Sequence, residues 1–120
     1  MTALYVAIGG AVGVLARYGL GTTVSNDALP WLTVAINVAG SFLLGFLVSV
    51  GDWFSPELRI GLGVGLLGGF TTFSTFSVDV FRDLEAGNGL DAAVVVVVST
   101  VAGVGAAAAG YYAGRAVAGS

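Results

Sequence analysis

Cysteine, histidine and lysine are absent from this chain of 120 residues, and only four arginines stand against seven acids. Without cysteine there is no disulfide and no thiolate chemistry. Without histidine or cysteine the commonest metal ligands are missing, and a serine nucleophile has no customary base. No nucleotide-binding loop is present. The chain is therefore not expected to be an enzyme. The net charge of −3 sits mainly in connecting segments, at Asp27, Asp52, Glu57, Asp83, Glu85 and Asp91. That balance argues against nucleic acid as a partner.

What the chain has in excess is apolar surface. Hydrophobic residues make up 57% of it, charged ones 9%, and the mean hydropathy is +0.98. A helical membrane span needs about 20 mostly apolar residues. Four windows qualify, at about 3–24, 31–50, 60–78 and 92–114. The expectation is an all-α integral membrane protein, multi-pass in the cell membrane. One four-helix transmembrane domain covers residues 1–120, with both termini on the same side. The first window lacks a basic leader and a cluster of small residues at a cleavage point, so it reads as a span and not a signal peptide. The connections are short and rich in turn formers, and Ser55-Pro56-Glu57 has the form of a helix start. Trp31 and Trp53 fall at opposite ends of the second span, where interfacial aromatics belong.

Glycine is the other excess, 20 residues in all. Gly9 and Gly13, Gly61 and Gly65, Gly65 and Gly69, and Gly110 and Gly114 are each four apart, and Ser41 and Gly45 add a related pair. Small residues at this spacing let helix backbones approach closely in lipid. The arginines divide evenly. Arg59 and Arg115 flank the side holding the termini, and Arg17 and Arg82 flank the other. Short-loop lysines and arginines set orientation, so this balance gives no bias. Either lipids decide, or the chain inserts both ways and yields an antiparallel pair.

Polar residues inside the apolar windows are few. The second span carries Thr33, Asn37, Ser41, Gly45 and Ser49 at every fourth position. Asn37 is the strongest of these, since a carboxamide in hydrocarbon needs partners for both its donor and its acceptor. It serves either as an interhelical hydrogen bond or as a pore-lining donor. The third span holds GGFTTFSTFS at 68–77. Gly68-Gly69 invites a break near the centre of the helix, freeing backbone groups that protein, water or an ion must satisfy. Freed carbonyls suit a small monovalent cation, although nearby hydroxyls answer the same need. Phe73 and Phe76 are three apart and share a face if the helix resumes. Ring edges are electropositive, so rings, hydroxyls and an amide without an acid favour a small anion. The alternative is ordinary packing of the rings, with threonines bonded back to the helix. Asp79, just past the third window, reads as the point where that helix emerges into water.

Three blocks, GGAVGVLARYGL (9–20), INVAGSFLLGF (36–46) and GLLGGFTTFSTFSVD (65–79), together resemble the Fluc/CrcB family of fluoride channels. The resemblance covers the first three spans well and the fourth loosely. It implies a passive, selective fluoride channel that exports fluoride, built as an antiparallel dual-topology homodimer with two pores. It further implies that Phe73 and Phe76 line the pore with their ring edges and that Asn37 donates to fluoride. Ser74 and Thr75 match hydroxyl positions beside the rings, and Ser99 continues a polar track into the fourth span, with Thr100 beside it. Gly68 and Thr71 match positions whose backbone carbonyls hold a structural sodium ion at the dimer centre. Arg17 matches an arginine of the entrance vestibule. The sequence departs from the family after Pro30 and across the fourth span, which is mostly valine, alanine and glycine. Two other readings fit the size of the chain: a small dual-topology proton-coupled exporter, which needs a carboxylate in the membrane, and a non-transporting membrane scaffold.

Overall fold

A computed structural model describes residues 1–119. Helices α1 (Thr2–Gly21) and α2 (Leu29–Ser49) form the first two spans. The third span is composite. It begins with α3 (Pro56–Ile60), widens into a π-helical stretch (Gly61–Leu67), and returns to a single turn, α4 (Gly68–Phe70). It then breaks and resumes as α5 (Ser74–Glu85). Helix α6 (Gly89–Ala118) is the fourth. Among the described residues, four helical segments are long and apolar enough to cross a membrane: Thr2–Gly21, Asn26–Ser49, Pro56–Glu85 and Gly89–Ala118. Their ends follow local chemistry. The Ser55 hydroxyl accepts the Leu58 amide at 3.2 Å, and Pro56 takes the first helical position, where its missing N–H costs nothing. Gly87, at φ +82°, turns the chain between α5 and α6.

The helices associate chiefly as two pairs, α1 with the third span and α2 with α6. Glycine explains both. A Cβ placed on Gly65 would lie 2.7 Å from the Val6 carbonyl oxygen, and one on Gly69 the same distance from that of Gly10. Gly13 faces the Leu66 carbonyl so closely that no side chain fits. In the second pair Gly45 abuts Ala107, Gly110 abuts Phe42, and Gly114 abuts Ser49. Residue numbers rise together along each contact, so the helices of each pair run parallel. Backbone contact of this kind replaces hydrophobic burial as the source of association in lipid.

Few side chains are fully buried. The core holds Val34, Ile36, Leu47, Val50, Leu67, Ala92 and Val95, while most large apolar residues of α1 and α6 are exposed. An apolar exterior around a small core is what lipid and a partner helix surface require.

Candidate functional site

The break falls near the middle of the third span, three residues beyond its expected place. Gly68 and Gly69 are helical. The chain leaves the helix at Thr71, whose backbone is extended at φ −89° and ψ 160°, and re-enters at Ser74. The glycines serve instead to let α4 touch α1. Thr71 nests its methyl group against Gly40 of α2, and its hydroxyl donates to the Leu67 carbonyl at 2.9 Å.

Two side chains from other helices take up the freed backbone groups. The Asn37 Nδ2 donates to the Thr72 carbonyl at 2.9 Å, and the Thr72 amide donates to Asn37 Oδ1 at 2.9 Å. Arg17 Nε donates to the Gly69 carbonyl at 3.3 Å. In a continuous helix the Thr72 amide would return to the Gly68 carbonyl. Its capture by Asn37 leaves the Gly68 carbonyl without that amide. Asn37 is thus committed to the protein through its oxygen and one N–H, with the second N–H of its amide left over. Both sequence readings of Asn37 therefore survive, and the interhelical bond is realised.

Phe73 caps the start of α5 and is 79% exposed. Its ring centroid lies 6.0 Å from that of Phe76, the planes tilted by 46°. Hydroxyls cluster beside them. The Thr72 Oγ1 accepts the Thr75 amide at 3.3 Å and stands 3.4 Å from both the Ser74 and Thr75 hydroxyl oxygens. Ser77 turns back to the Phe73 carbonyl at 2.9 Å. In α6, Thr100 bonds back to Val96 at 2.8 Å, whereas the Ser99 hydroxyl is buried with no hydrogen-bond partner among the described residues. A buried hydroxyl without a partner is costly unless something else meets it.

Two cavities flank the break. One, about 360 Å³, is lined by Asn37, Ser41, Gly68, Thr71, Thr72 and Phe73, among others, and contains no charged side chain. The other, about 390 Å³, is lined by Arg17, Thr33, Thr72, Thr75, Asp79 and Arg82, among others. Along the polar row on α2, Thr33, Asn37 and Ser41 line the cavities at the break, and Ser41, Gly45 and Ser49 also approach α6. Asp79 lies within a helix that runs on past it. Helix α5 continues to Glu85, and one Asp79 carboxylate oxygen is buried without a hydrogen-bond partner among the described residues. Thr72, which sequence reading passed over as one hydroxyl among several, is the residue on which Asn37 closes. No group of three or more His, Cys, Asp or Glu side chains among the described residues is placed to hold a metal.

A family model described as CrcB-like protein, Camphor Resistance (CrcB), matches residues 4–111. The fluoride-specific ion channel FluC of Geobacter sulfurreducens is 46% identical over 104 residues, covering 82% of this chain and 84% of its own. The protein of the same name from Rhodospirillum centenum is 47% identical over 113 residues, covering 89% and 90%. That from Rhizobium leguminosarum bv. trifolii is 46% identical over 121 aligned positions, covering 96% and 94%.

Proposed function

The chain belongs to the CrcB family, and from that premise we propose that it is a passive, selective fluoride channel of the cell membrane. It carries fluoride outward through two pores in an antiparallel homodimer. The observation that carries this reading is the uncharged cavity at the break, where Asn37, Thr72 and the exposed Phe73 ring meet. A small, strongly hydrated anion must exchange water for donors. Hydroxyls, one amide N–H and ring edges supply them without a fixed positive charge that would hold the ion in place. Phe73, Phe76, Asn37, Ser74, Thr75 and Ser99 form the track, and Arg17 raises the local anion concentration at its mouth.

Dual topology is supported by the arginine balance. Arg17 and Arg82 line one cavity at one end, and Arg59 and Arg115 lie at the other. The exposed Phe73 favours a second copy covering that face. The residues at the break fit a structural sodium ion. The Gly68 carbonyl is relieved of its amide partner, and the extended Thr71 backbone takes the Thr71 carbonyl out of the helical ladder. Two copies related by a two-fold axis would bring two such pairs of carbonyls together. Bound by these carbonyls, a sodium ion would supply positive charge between the two copies.

Asp79 supplies one feature of a proton-coupled exporter, a half-buried carboxylate. It shares its cavity with two arginines and lies outside the ring-lined cavity, which favours the channel. Expression in a fluoride-sensitive bacterium lacking its own exporter tests the function. Restored growth in fluoride supports it, and a producing strain that stays sensitive contradicts it.

A further inference from the structure

Among the described residues, Thr72 alone lines both the charged cavity and the ring-lined cavity. Its position is fixed from two directions. Asn37 holds its peptide through two bonds of 2.9 Å, and its side-chain oxygen accepts the Thr75 amide. Its proton is held weakly by comparison. The two hydroxyl oxygens in reach, on Ser74 and Thr75, are both 3.4 Å away, whereas O–H···O bonds usually close to about 2.7–2.8 Å. A hydroxyl has one donor and room for two accepted bonds. Thr72 can thus keep the Thr75 amide bonded while its proton turns elsewhere.

We infer that Thr72 is the passage point between the two cavities, where its hydroxyl proton is given to fluoride as the ion leaves the arginine side for the ring side. The inference rests on the reading of the chain as a fluoride channel. It explains why the break is clasped at Thr72 and not at a neighbouring peptide. Clasping there immobilises the one residue that both cavities share. Accepting the Thr75 amide at the start of α5 is a further service of the same oxygen, and it does not require contact with either cavity.

The chain has no cysteine, so a single Thr72→Cys change creates a unique thiol. Purified Thr72→Cys, Thr72→Ser, Thr72→Val and unchanged protein are placed in liposomes, and fluoride release is read before and after methyl methanethiosulfonate. Thr72→Ser is expected to conduct close to the unchanged protein. Thr72→Val, which keeps the shape and loses the proton, is expected to lose about tenfold or more. Treatment is expected to stop release through Thr72→Cys and leave the cysteine-free protein unaffected. Full modification of Thr72→Cys, seen by mass, with release unchanged overturns the inference even if Thr72→Val fails to fold. Release from the unchanged protein separates that outcome from failure of the channel reading, since a folded parent that releases no fluoride overturns both.

Discussion

The Asn37 carboxamide grips the Thr72 peptide from both sides, donating to its carbonyl and accepting its amide, each at 2.9 Å. This bond pair joins α2 to the break in the third span and substitutes for two rungs of the missing helical ladder. A buried backbone group left without a partner costs about 1–3 kcal/mol, so the clasp is a condition of the break.

Asn37→Asp should therefore damage conduction more than assembly. The carboxylate still accepts the Thr72 amide but repels the Thr72 carbonyl and any passing anion. Fluoride release from liposomes is expected to fall by about two orders of magnitude, roughly 2.7 kcal/mol at the barrier. Size-exclusion elution reports whether the fold persists. Release equal to the unchanged protein would remove Asn37 from the path.

Phe73→Ile and Phe76→Ile keep apolar bulk and discard the electropositive ring edge. Each is expected to abolish measurable fluoride release while the protein elutes unchanged. Undiminished release through both variants would mean that the rings pack and do nothing more.

Glycine substitutions should separate close approach from open space. A Cβ at Gly13 meets the Leu66 carbonyl and lies 2.8 Å from the Phe70 nitrogen, while Gly19 has nothing within 4 Å. Gly13→Ala is expected to cost about 1–3 kcal/mol as α1 is pushed from the third span. Gly19→Ala is expected to be neutral or to stabilise by about 0.5–1 kcal/mol. Thermal midpoints in detergent would decide, and equal midpoints would contradict the parallel glycine contact.

Replacing sodium with a bulky organic cation should loosen the proposed dimer, because a ligand bound only by a dimer stabilises it by mass action. The check is the dimer–monomer midpoint at several sodium concentrations. A midpoint independent of sodium would leave the Gly68 and Thr71 carbonyls without the role proposed for them.

Much of the architecture was legible because hydropathy and small-residue spacing are local signals. Four apolar runs are four membrane-capable helices, and Gly9, Gly13, Gly65 and Gly69 mark the α1 contact. The break was legible in kind and misplaced in position. Gly68-Gly69 looks like the weak point by helix propensity, but Gly69 is held helical by close packing on Gly10. The chain opens instead at Thr71, where Asn37 can take the next peptide. That partnership spans 35 residues, and the Arg17 bond to Gly69 spans 52. Neither leaves a periodic trace. The π-helical stretch over Gly61–Leu67 was also unforeseen. Its three glycines tolerate a wider turn, yet they read equally as packing residues.

The most direct test of the account is ion efflux from liposomes holding the purified protein, read by a fluoride electrode beside a chloride electrode. The account predicts fast fluoride release with no chloride release and no need for a proton gradient. Release of both ions, or none from a folded dimer, would contradict it.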